Sequence, residues 1–164
     1  MQKITPFLWF DGQAEEAINL YVKLFSSSPD PRPAKIIDIK YWSKSSPFPE
    51  NQVMTATFEI DGHTFYAFDA GPQFKFSEAT SFLVSCDTQE EIDHFWNGFI
   101  NTGGQESMCG WLKDKFGFSW QIVPPALMKL MADADKEKAG RVMQAMMGMR
   151  KLIIVDLEAA ANNG

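Results

Sequence analysis

The chain reads as an α+β protein made of two βαβββ modules followed by helices, and three observations carry that reading. One constant offset places Phe7-Leu8 on Phe82-Leu83, Glu15-Glu16 on Glu90-Glu91, Leu20-Tyr21 on Phe95-Trp96 and Leu24 on Phe99. Chance rarely keeps such a register, which is the signature of an internal repeat. A second offset places Gly62 on Gly117 and Phe65 on Trp120, so the hairpins that close the two modules correspond as well. The third observation is the stretch CGWLKDKFGFSWQIVPP from Cys109 to Pro125, where a tight turn, an alternating strand and a double-proline stop follow one another.

Each element has its own local reason. Ile4 to Phe10 is a short apolar run, broken at Asp11-Gly12. Gln13-Ala14-Glu15-Glu16 then opens a helix with its acids in the first turn, where the helix dipole favours them. Ala17, Leu20, Tyr21, Leu24 and Phe25 form the stripe that this helix is expected to bury, and the helix runs to about Phe25. The stretch from Ser26 to Pro33 is a loop by composition, and a strand from about Lys35 to Trp42 follows. Ser43 to Gln52 is rich in Ser and Pro and reads as surface loop. Val53 to Ile60 and His63 to Ala70 are paired strands, because Asp61-Gly62 between alternating runs is a strong hairpin signal. The second module repeats the order with strand Ser81 to Cys86, helix Gln89 to Ile100, and strands near Gln105, Trp111 and Phe118. Its last turn, Asp114-Lys115-Phe116-Gly117, ends on a residue that needs positive φ, and Pro124 stops the pairing because it has no N–H to donate. Past Pro125 the pattern is helical over Ala126 to Ala134 and Lys136 to Met149, Met-rich, with Gly148 as a cap. Leu152 to Val155 is an apolar run leading into an Ala-rich tail.

Composition bounds the function. A chain of 164 residues supports one well-buried domain built of two halves. With 45% hydrophobic residues and 14 Phe it has ample apolar surface to offset chain entropy, which excludes disorder. A net charge of -6, with 21 acids against 15 bases and no basic stripe, excludes nucleic acid as a partner. Cys86 and Cys109 without a secretory pattern predict a reduced, cytoplasmic protein, and no run approaches the roughly 20 apolar residues that span a bilayer.

The segments ITPFLWFDGQAEEAINLYVKLF, FLVSCDTQEEIDHFWNGFINTGG and CGWLKDKFGFSWQIVP resemble the PhnB-like family, also labelled demethylubiquinone methyltransferase-like. The paired βαβββ modules resemble the wider vicinal oxygen chelate superfamily of glyoxalases, bleomycin resistance proteins and dioxygenases. The resemblance spans residues 4–125. It implies a glyoxalase-like, cup-shaped sheet around a small-molecule site, with a paired domain over residues 1–125 (modules about 1–72 and 78–125) and a helical extension over 126–164. It also implies that a divalent metal, where members hold one, takes side chains from the first and last strands of each module. Those positions fall here on Pro6, Tyr66, Ser81 and Gln121, where a metal would want imidazole or carboxylate. No metal site is therefore expected, and no cofactor.

On the last strand, Ser119, Gln121 and Val123 share one face and Phe118, Trp120 and Ile122 the other, which presents Gln121 as a polar group on an otherwise apolar sheet. The expected pocket has Tyr66, Phe68 and Trp111 as its wall and Ser81, Ser85, Cys109, Ser119 and Gln121 as polar anchors. Gln121, Tyr66 and Cys109 are the candidates for any catalytic role, Cys109 as nucleophile if a base lowered its pKa; the plainer reading is a half-buried loop thiol. His63 and His94 read as surface or rim residues, and Asp114 is accounted for by its turn. Thr102-Gly103-Gly104 follows a helix and precedes a strand, so it caps the helix and is not a cofactor cradle. The five tryptophans are mostly core by spacing, with Trp42 and Trp111 near strand ends. The expected function is binding of a small, apolar or aromatic molecule, as in the drug-resistance branch of the superfamily, or alternatively enzymatic action on a small metabolite. The Met-rich helices on an already complete cup predict a homodimer contact.

Overall fold

The first module opens on β1 (Phe7–Phe10), followed by α1 (Ala14–Ser26), β2 (Ala34–Tyr41), β3 (Val53–Ile60) and β4 (His63–Asp69). The structure, a computed structural model, describes residues 2–163 and forms two units, Met1–Lys75 and Phe76–Gly164. In the first unit the sheet order is β1-β4-β3-β2, with β1 parallel to β4 and the other pairs antiparallel. The β3–β4 connection is the expected two-residue turn, and both Asp61 (φ 50°) and Gly62 (φ 76°) are left-handed, as a turn matched to strand twist requires. Leu8, Phe10, Ala56, Phe58 and Ala67 are buried on the side of α1. Each large side chain so buried contributes about 1.5–3 kcal/mol. The stripe of α1 is shifted slightly from expectation, since Ile18 is fully buried and Leu20 only half. Gln13 offers α1 no side-chain cap. Asp69 supplies it from β4 instead, accepting from Ala14 N at 3.0 Å and from Val53 N at 2.9 Å.

The opposite face of this sheet is aromatic. Phe7 meets Tyr66 and Phe68, and Trp9 meets Phe68 and Phe74, mostly edge to face. Trp9 therefore lies on the open face, half-buried, with its indole N–H donating to Gly71 O at 2.8 Å. The core role expected of it belongs to Leu8 and Phe10, because neighbouring residues of a strand point to opposite faces.

The second unit contains β5 (Ser81–Ser85), α2 (Gln89–Asn101), β6 (Gln105–Glu106), β7 (Trp111–Lys113) and β8 (Ser119–Val123), then α3 (Pro125–Met131), α4 (Lys136–Met147) and α5 (Ile154–Asn162). Its sheet order, β5-β8-β7-β6, repeats that of the first, again with the outer parallel pair. The start of α2 is held by a capping box, Thr88 with Glu91. Its end is turned by Gly103 (φ 108°), and Gly104 N returns to Phe99 O at 3.0 Å, the capping role read from the sequence. Phe99 of α2 stacks on Trp120 at 4.8 Å, with Leu112 and Ile122 buried beside them.

The C-terminal helices build a core of Leu127, Val142, Leu152, Leu157 and Ala161 onto Val123 of β8. α3 stops at Met131, short of the expected Ala134, and Asp135 begins the next helix by accepting from Glu137 N and Lys138 N. Gly148 caps α4, and the Leu152–Val155 run leads directly into α5. Among the described residues, no helix is long and apolar enough to cross a membrane.

Candidate functional site

Strand register in the second unit sets one polar row across the whole sheet. Gln105 pairs with Lys113, Lys113 with Ser119, and Ser119 with Ser81. Directly opposed residues share a face, so β6, β7, β8 and β5 each place one polar side chain in line on the face away from α2. One step along, Leu83, Gln121 and Trp111 form the neighbouring row. The rows are joined by Gln121 Nε2 donating to Ser81 Oγ at 2.8 Å. The face carrying Gln121 is thus polar over much of its width, where the sequence suggested an apolar surround. The strands at β6 and β7 are too short for alternation to reveal this alone.

A cavity of about 190 Å³ opens on this row, walled by Glu78, Gln105, Glu106, Trp111, Lys113 and Ser119 among others. Ser119 is 1% exposed. Among the described residues, its Oγ is the buried side-chain polar atom without a hydrogen-bond partner. Such groups are rare in folded proteins. Lys113 forms an ion pair with Glu78, and this pair holds the Glu78 carboxyl below its usual range. Glu106 accepts from Trp96 Nε1 at 3.0 Å and from Arg150 at 3.2 Å; both bonds, led by that from Trp96, lower its pKa.

The residues expected to form a site are distributed over both units. Tyr66 and Phe68 lie on the aromatic face of the first unit. Ser81, Ser119, Gln121 and Trp111 come together on the polar rows, with Ser85 exposed at the end of β5. Cys109 sits in the β6–β7 loop at φ 58°, half-buried, its N–H donating to Met149 O at 2.7 Å. The other thiol, Cys86, is fully buried, and that burial, with Glu91 and Asp87 nearby, pushes it up to about 12. His63 is exposed and His94 half-buried against Phe95. Lys113, Glu78 and Gln105 were not singled out by sequence; the spacing of Trp111 and Lys113, two apart on a strand, was the available signal for the first.

Comparison with known proteins shows the family and the fold. Residues 2–123 match the family model described as 3-demethylubiquinone-9 3-methyltransferase. The chain belongs to this family. A putative 3-demethylubiquinone-9 3-methyltransferase, PhnB protein, from Bacillus cereus is 36% identical over 75% of this chain and 99% of its own, with a TM-score of 0.67. A protein from Pseudomonas aeruginosa shares the fold at 20% identity, over 76% of this chain and 98% of its own, with a TM-score of 0.60. The fosfomycin resistance protein FosX from Listeria monocytogenes does so at 11% identity, over 80% and 98%, with a TM-score of 0.56. No curated protein matches the chain.

The metal that the wider superfamily implies does not fit the residues present in this PhnB-like chain. The first- and last-strand positions of the second module, Ser81 and Gln121, satisfy each other as hydroxyl and amide. In the first module the two positions carry the ring of Pro6, which has no ligating atom, and the phenol of Tyr66. Among the described residues, no group of three or more His, Cys, Asp or Glu is placed to hold a metal ion. The family description also names a methyl transfer, for which a glycine loop after a strand would cradle the usual cofactor. Gly103 and Gly104 instead close the end of α2.

Proposed function

We propose that this PhnB-like protein binds a small molecule on the open face of its second module through hydrogen bonds, without the metal chemistry of its superfamily. One observation carries the reading: a mutually hydrogen-bonded amide and hydroxyl, Gln121 and Ser81, occupy the positions where a metal would need carboxylate or imidazole. The cavity on the same face supports it, being concave and lined mostly by polar side chains able to hydrogen-bond a ligand. Leu83 and Trp111, which flank Gln121 on the open face of the second module, support an apolar or aromatic character for what the protein binds. Binding is favoured over turnover because the mapped positions, Pro6, Tyr66, Ser81 and Gln121, do not pair an acid with a base. We further propose a cytoplasmic homodimer, in keeping with the Met-rich exposed surface of the C-terminal helices.

Metal content decides the central claim. Protein purified without chelators is expected to contain less than a tenth of an equivalent of divalent metal by plasma emission, while Gln121→Glu, which adds a carboxylate beside Ser81, gains measurable affinity for Mn²⁺ or Zn²⁺. A stoichiometric metal in the wild type, lost in Gln121→Ala, would overturn the reading.

A further inference from the structure

The buried, unpartnered hydroxyl of Ser119 is the least explained group in the second unit. It lies between two other polar side chains of the row, Lys113 on β7 and Ser81 on β5. Ser81 Oγ accepts from Gln121, which leaves the Ser81 proton to donate elsewhere. Ser119 offers a second hydroxyl proton and Lys113 an ammonium with three. The row therefore sets donors from Ser81, Ser119 and Lys113 on one side of the sheet, with the amide of Gln105 at its end. Both carboxylates at the cavity are already occupied: Glu106 by Trp96 and Arg150, Glu78 by Lys113. The second pair is the exchangeable one. Glu78 is 64% exposed and lies on the loop before β5, and ion pairs so open to water hold weakly.

From this arrangement we infer that the cavity is a carboxylate-recognition site, in which a ligand carboxylate displaces Glu78 from Lys113 and accepts from Ser119, with Trp111 against the ligand's apolar body. The inference rests on the proposed binding role of this face and names the ligand class. Displaced Glu78 swings into solvent. The incoming group gains a charge-assisted bond from Lys113 and satisfies a buried hydroxyl that has no protein partner. The cavity's size admits a ring or short chain bearing one carboxylate, such as a benzoate-sized acid.

Amide and indole NMR shifts of the full chain, titrated in parallel with benzoate, its neutral counterpart benzamide and the cationic benzylamine, test this. Benzoate is expected to shift the Ser119 amide and Trp111 indole signals saturably, with benzamide at least tenfold weaker. Lys113→Met should weaken benzoate at least tenfold and leave benzamide unchanged. Glu78→Gln, which removes the competing carboxylate from a surface loop, should tighten benzoate several-fold and keeps the test open if Lys113→Met misfolds. Equal binding of the two probes at Ser119, or tighter binding of benzylamine than of benzoate, overturns the carboxylate assignment while leaving small-molecule binding standing. Absence of any shift on this face with all three probes overturns both.

Discussion

Asp114 shows how one side chain holds the closing hairpin of the second module. Its Oδ1 accepts from Phe116 N at 2.9 Å and Phe118 N at 3.0 Å, and its Oδ2 from Trp120 Nε1 at 2.9 Å, with the residue only 3% exposed. Asp114→Ala would remove the carboxylate that these three donors share, two of the three bonds being buried. Each buried bond so lost costs about 1–3 kcal/mol. The variant is expected to lose about 3 kcal/mol, read as a lower denaturant midpoint with an unchanged slope. The turn role was legible, because Asp at the first position of a tight turn bonds to the backbone just ahead of it. The bond to Trp120 was not, since it depends on the indole reaching back across the hairpin. Asp69 was less legible still. Its partners, Ala14 and Val53, are distant in sequence and meet it only after β4 has paired beside β1 and β3.

At the scale of elements, the segment from Met149 to Ile154 acts as a strap over the second module. Cys109 N and Gly110 N donate to Met149 O and Arg150 O, Gln89 bonds both Leu152 O and Ile154 N, and Lys151 pairs with Asp93 at 2.6 Å. Leu152, fully buried, pins the strap. Gly110 makes room for it: φ is 83°, and a Cβ there would lie 2.9 Å from both Leu152 Cδ1 and Ile122 O. Leu152→Ala is therefore expected to cost about 2–5 kcal/mol and to raise hydrogen exchange at the Cys109 and Gly110 amides well above that of the β8 amides. Uniform loss of protection across the unit would mean that the strap has no local role. Of these elements, the sequence periodicity located α2 and the β3–β4 hairpin closely, because long helical stripes and Asp-Gly turns are strong local signals. It left the strap unread. Leu152 to Val155 is too short a run for its period to separate strand from helix, and the bonds that hold it come from loops and caps with no pattern of their own.

For the whole molecule, the family match ends at residue 123, so the C-terminal helices stand outside the part that the family model describes. They do not merely cover β8. While Val142 and Leu157 face inward, Met143 and Met147 stand one turn apart on the other side of α4 at 46% and 62% exposure, with Met128 at 64% and Val155 at 65% on the neighbouring helices. Apolar side chains left in water on three successive helices are costly unless something covers them, and flexible Met suits adaptable contact surfaces. A second copy of the chain is the occupant proposed above, since closed two-fold pairs are the commonest assembly. Light scattering at micromolar concentration should then give about twice the 18.5 kDa chain mass. The double variant Met143→Glu, Met147→Glu puts two carboxylates into that contact without touching Val142 or the buried core. It is expected to run as a monomer with circular dichroism unchanged. A monomeric wild type, or a dimer that survives both glutamates, would assign the exposed methionines to no self-contact.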